Sequence, residues 1–228
     1  KIPVNLITGF LGVGKTTALL HLLAQRPAGE PWAVLVNEFG AIGVDGITLA
    51  ESGVAVREVP GGCICCTAQL PLQVALTRLL REVKPARLLI EPTGLGHPAG
   101  VIDVLQSPSL AKAIDLRNVI CLVDPQQLAD PRYADSENYQ DQISLADVLV
   151  ANKIDLASAD QLRGFQEFAA RGYPPKRHIA AVSNGELNPE WLEIAGDDRQ
   201  TLRTEMHNAA DFVSHSWRFV REQIFDEL

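Results

Sequence analysis

Apolar residues along the chain collect in short runs, and between the runs they recur at helical spacing. The runs VNLIT at 4–8, WAVLV at 32–36, LLIE at 88–91, NVICLVD at 118–124, DVLVAN at 147–152 and HIAAV at 178–182 predict strands buried on both faces. Amphipathic stretches at 16–24, 71–82, 142–146 with its preceding turn, and 159–170 predict helices between them. Alternation of this kind predicts an α/β fold, a mostly parallel sheet with helices on both faces. The pattern places one domain over 1–196. It fades in the polar stretch 197–215, which reads as a linker. SWRFVREQIFDEL at 216–228 is too short for a domain and reads as the truncated start of a small C-terminal one.

Composition narrows the partners. A chain of 228 residues with 46% apolar and 21% charged residues can bury a full core. Its net charge of −8 argues against nucleic acid and anionic membranes, which need a cationic surface. No apolar run approaches the roughly 20 residues that cross a bilayer, and KIPVNLITGF lacks a signal-peptide pattern. A soluble, cytoplasmic protein is the expectation. In a reducing compartment its four cysteines are thiols or ligands rather than a disulfide framework.

Residues 9–17 read GFLGVGKTT and fit the phosphate-binding pattern G-x-x-x-x-G-K-[ST], after a strand and opening a helix. Glycines let backbone N–H groups curl around phosphate oxygens, a lysine places a point charge on them, and a threonine hydroxyl reaches Mg²⁺. Gly9, Gly12, Gly14, Lys15, Thr16 and Thr17 are therefore the candidate nucleotide contacts, Thr16 the candidate magnesium ligand, and a P-loop nucleoside triphosphatase sheet the expected architecture.

Two later motifs refine this. NKID at 152–155 follows a strand, and Asp155 there can accept two hydrogen bonds from guanine that adenine does not offer, with Asn152 and Lys153 beside it. GTP is then the expected ligand, and Ser183 and Asn184 in VSNG are candidate backbone contacts to the base. LLIEPTGLGHP ends a strand in Glu91, a candidate acid for the Mg²⁺ shell, and Gly94 in the following turn can sense the γ-phosphate. Between the phosphate loop and Glu91, VNEFGAIGVDG carries Asn37, Glu38 and Asp45 in a glycine-broken loop, a place for a nucleotide-sensing switch. Lys15, Asp45 and Glu91 are the candidate catalytic residues. No glutamine or arginine is assignable to the attacking water or the leaving charge, so intrinsic turnover is expected to be slow.

PGGCICCTA at 60–68 holds Cys63, Cys65 and Cys66. On an extended backbone Cys63 and Cys65 share one face and Cys66 takes the other, while a bend after Gly61 and Gly62 turns all three inward. Three thiolates suit Zn²⁺ and leave a fourth position open for transfer. Small buried apolar cysteines and a purely structural zinc are the competing readings.

GFLGVGKTT, NEFG, GGCICC, EPTGLGHP and NKID, in this order, resemble the CobW/YjiA/YeiR-type P-loop GTPases, a metal-trafficking family, with the YeiR-like pattern nearest. The resemblance covers about residues 4–185 and implies a GTP-hydrolysing domain joined to a small C-terminal one. It also implies that Cys63, Cys65 and Cys66 carry zinc or a similar divalent ion between the switch regions, for delivery to a client metalloprotein. Ala41 stands where many relatives have a glutamate and Val36 where YjiA-like members have one, and the histidine-rich segment of the family is not evident, although His207 and His215 lie in its region. The mechanism implied is metal affinity coupled to nucleotide state, with a homodimer as an expected assembly. A P-loop ATPase carrying metal or Fe–S units and a non-catalytic zinc reservoir are the alternatives.

Overall fold

The computed structural model describes residues 1–36, 54–59, 69–92, 98–134, 136–172 and 174–196. Its strands are β1 (Ile2–Gly9), β2 (Trp32–Val36), β3 (Ala55–Glu58), β4 (Arg87–Glu91), β5 (Ile114–Val123), β6 (Val148–Ala151) and β7 (His178–Ala181). They form one sheet in the order β3-β2-β4-β1-β5-β6-β7, every pairing parallel. The helices are α1 (Lys15–Ala24), α2 (Gln69–Val83), α3 (Pro98–Leu105), the short α4 (Pro125–Leu128) and α5 (Pro131–Ala134), α6 (Glu137–Ser144) and α7 (Ala159–Arg171), followed by a 3₁₀ turn at Pro189–Glu193.

Alternate strand residues feed two faces. Val4 and Leu6 of β1, with Ala33, Leu35, Leu88 and Ile90, pack on Leu72, Leu76 and Leu79 of α2 and on Val101 and Leu105 of α3. Ile7, Val34, Leu89, Ile120 and Val150 pack on Ala18, Leu19, Leu22 and Leu23 of α1. A further cluster joins Cys121, Val123 and Leu149 to Tyr139 and Ile143 of α6 and Phe165 of α7. Burial on both faces is why these strands read as continuous apolar runs.

Each of the six predicted strands is present, but β7 corrects one expectation. Its residues alternate between half-buried and exposed, and Ile179 is 41% exposed, because it is an edge strand covered on one face. The sequence reading missed β3, at the opposite edge, whose AVRE has no apolar run. It also missed α3, and it placed α6 several residues late, since Gln142 shares the buried side of that helix with Tyr139 and Ile143.

At the amino-terminal end of the sheet, buried polar groups fasten the 3₁₀ turn. Asn5 Nδ2 donates to Asn118 Oδ1 at 2.9 Å and to the Leu192 carbonyl at 3.0 Å. Asn118 Nδ2 donates to the carbonyls of Trp191 and Ile194 at 2.5 and 2.8 Å. Arg87 donates to Asn5 Oδ1 at 2.6 Å, pairs with Glu193 and lies over the Trp32 ring at 5.5 Å. No helix among the described residues is long and apolar enough to cross a membrane.

Candidate nucleotide site

The glycine loop runs from the end of β1 at Gly9 to the start of α1 at Lys15, at the carboxyl end of the sheet and in its interior. β1 is flanked by β4 and β5, which the chain visits on opposite sides, so the loop stands where an open parallel sheet leaves a crevice. Gly14 caps α1 with a left-handed backbone, φ 95°, and a Cβ there would sit 2.5 Å from Asn152 Nδ2. No side chain caps this helix, and its first N–H groups have no helical carbonyl to bond. A bare helix start behind a glycine fits an anion. Gly9 and Gly12 shape the rest of the loop, and Thr17 is exposed on the first turn of α1.

Three predicted residues meet beneath the loop. Lys15, only 8% exposed, folds back so that Nζ donates to the Phe10 carbonyl at 3.0 Å. Thr16 Oγ1 donates to Glu91 Oε1 at 3.1 Å. Glu91 closes β4 and is likewise 8% exposed. Burial raises the Glu91 pKa above the ordinary carboxylate range, against the opposing pull of Lys15 and the Thr16 hydrogen bond. Burial lowers the Lys15 pKa, against the pull of Glu91. A hydroxyl and a carboxylate side by side are the hard oxygen donors Mg²⁺ takes, so these residues fit that ion.

The NKID residues take separate positions. Asn152 is turned toward the protein: its Nδ2 donates to the Val13 carbonyl at 2.8 Å and its Oδ1 accepts from the Gly185 N–H at 3.0 Å. A Cβ on Gly185 would lie 2.6 Å from the Ala18 nitrogen, so the glycine lets the 183–185 loop sit on α1. Asn152 thus ties the phosphate loop to the loop holding Ser183 and Asn184. Lys153, at φ 60°, pairs with Asp124 at 3.1 Å. Asp155 is exposed and its side chain has no bonding partner among the described residues.

The structure adds residues that the sequence reading passed over. Asp124 follows β5 and caps α4 by accepting from Gln126 N at 2.9 Å, with proline at the first helical position. DPQQ after a buried strand was a readable cap signal. Cys121 is buried, and desolvation pushes its thiol up to about 11, so it is an inert core residue. Asn37, Glu38, Asp45, Cys63, Cys65, Cys66, Gly94, His207 and His215 lie outside the described residues. Among the described residues no group of three or more His, Cys, Asp or Glu side chains gathers to hold a metal.

A parallel sheet whose interior strand enters a helix through this loop, with a strand-end carboxylate touching the helix's first threonine, defines the P-loop nucleoside triphosphatase fold. Residues 3–179 match the model of the CobW/HypB/UreG nucleotide-binding domain, and the chain belongs to that family. It is 54% identical over 207 residues to the zinc chaperone YeiR of Escherichia coli K12, covering 91% of this chain and 56% of that protein. It is 33% identical to the zinc chaperone CobW of Sinorhizobium sp, covering 82% of this chain and 60% of that one. The crystal structure of the Zn(II)-bound YjiA GTPase from E. coli superposes with a TM-score of 0.54 at 25% identity, over 79% of this chain and 56% of that one. The chain spans little more than half the length of these relatives.

Proposed function

We propose that this chain is the nucleotide-binding part of a Mg²⁺-dependent GTP hydrolase that holds zinc at Cys63, Cys65 and Cys66 and hands it to a client metalloprotein. The contact between Thr16 and Glu91 beneath the loop carries the reading, because it unites the candidate magnesium ligand with the candidate acid. Lys15 would neutralise the β and γ phosphates, and the amide groups at the start of α1 would hold their oxygens. Bound Mg²⁺ would supply charge neutralisation at the transferring phosphate. Glu91 would orient water in the magnesium shell, and Asp155 would read the guanine edge. Asp45 and the turn at Gly94 would register whether the γ-phosphate is present. The zinc chaperones among the relatives support zinc as cargo.

Comparing GTP and ATP turnover tests the reading. GTP should be hydrolysed in preference to ATP, slowly, and Lys15→Ala should lower the GTP rate at least a hundredfold. Asp155→Ala should weaken GTP binding by two to four powers of ten, at roughly 1.5–3 kcal/mol for each of two charge-assisted bonds, and leave ATP binding unchanged. Equal use of both nucleotides by the unaltered protein would point instead to an ATP-dependent metal carrier.

A further inference from the structure

The turn that follows β5 lies between the phosphate loop after β1 and the NKID loop after β6, and it bonds to both. Gln127 Nε2 donates to the Leu11 carbonyl, inside the glycine loop, at 2.9 Å. Its neighbour Gln126 Nε2 donates to the Leu156 carbonyl, one residue beyond Asp155, at 2.6 Å. Asp124, 6% exposed, anchors the turn from below: Oδ1 accepts from Gln126 N and Oδ2 pairs with Lys153. Two adjacent glutamines therefore reach in opposite directions, to loops separated in sequence by most of the domain.

We infer that Asp124, Gln126 and Gln127 form a positioning bracket that sets the distance between the phosphate loop and the base-reading loop, and so sharpens discrimination for guanine. The inference rests on the guanine reading above. Asp155 has no side-chain partner of its own among the described residues, so the loop around it is held in place through its neighbours: Lys153 and Leu156 by the turn after β5, and the Ile154 N–H by the Val182 carbonyl at 3.3 Å. A carboxylate displaced by a fraction of an ångström loses hydrogen-bond geometry to the exocyclic amine of guanine while the phosphate loop still holds the phosphates. The two glutamines then have separable effects: Gln126 governs base recognition and Gln127 governs phosphate binding.

The test measures dissociation constants of GDP and of IDP, which lacks the 2-amino group, for the full chain and for Gln126→Ala, Gln126→Glu and Gln127→Ala. Both side chains are at least partly exposed, so the fold should survive, checked by melting temperature. Losing one exposed hydrogen bond costs about three- to tenfold. Gln126→Ala and Gln126→Glu, which keeps the size but not the donor, should weaken GDP by about that factor and IDP, which keeps only the N1–H donor, by less, lowering the GDP/IDP preference. Gln127→Ala should weaken both ligands alike and keep the preference. Variants that bind both nucleotides as the unaltered protein does would overturn the bracket alone. So would a lowered melting temperature with GDP and IDP lost in equal proportion for Gln126 and Gln127 variants alike. If the unaltered protein shows no GDP preference, the guanine reading falls and the bracket with it.

Discussion

Glu91 and Lys15 are charged groups held out of water, each only 8% exposed. Burial disfavours the ionised form of both, and their mutual attraction offsets only part of that cost. For Glu91 the folded-state pKa lies above the unfolded one, so the folded protein binds the proton more tightly. The resulting penalty is fully present above the folded pKa and vanishes below the ordinary carboxylate pKa of 4.5. Glu91→Gln should therefore raise the melting temperature at neutral pH, an advantage that shrinks as the solution is acidified through the Glu91 pKa. Thermal melts of both proteins across pH 4–8 measure this, and an advantage that grew toward low pH would refute it. Under the proposed role of Glu91 in the magnesium shell, the same variant should also lose GTP hydrolysis. At this scale the sequence named Lys15, Thr16 and Glu91 as candidates, because phosphate chemistry prescribes residue types in a set order, and the structure brings the three together beneath the glycine loop. The inward turn of Asn152 was hidden. Its partners Val13 and Gly185 lie far from it in sequence, and an amide beside a base motif reads equally well as a ligand contact.

Among the elements, the 3₁₀ turn at Pro189–Glu193 has little apolar surface to hold it beyond Leu192 and Trp191, and the buried amides of Asn5 and Asn118 do the rest. Asn118→Ala would leave Asn5 Oδ1 with Arg87 but remove the Asn5–Asn118 bond and strip the donors from the Trp191 and Ile194 carbonyls. Each buried group left unpaired costs about 1–3 kcal/mol, so a loss of roughly 2–4 kcal/mol is expected. Urea unfolding should show the midpoint falling while its slope is kept, and an unchanged midpoint would mean that the network is solvated. This network had no signature in the pattern of apolar positions. The interior strands were legible because two covered faces leave no polar position to interrupt the run. One edge was not: β3 has AVRE and no apolar run, whereas β7 read as a strand but is covered on one side only rather than on both.

For the molecule as a whole, nucleotide and metal would be linked only if binding at the phosphate loop changes the arrangement of Cys63, Cys65 and Cys66. In the chain the glycine-broken stretch with Asp45 and the turn with Gly94 flank the cysteines, one before and one after, so both phosphate-sensing candidates lie close to them in sequence. Linkage is reciprocal: if GTP tightens zinc, zinc must tighten GTP by the same factor. A homodimer formed around nucleotide or metal would strengthen the coupling, and light scattering with GDP and with a GTP analogue would detect it. The deciding measurement is zinc affinity by chelator competition in three conditions: no nucleotide, GDP, and a non-hydrolysable GTP analogue with Mg²⁺. If nucleotide and metal are coupled, the analogue shifts zinc affinity several-fold and GDP does not, and replacing Cys65 and Cys66 abolishes the shift. Equal affinities in all three conditions would contradict that coupling and leave a static metal site beside an independent nucleotide site.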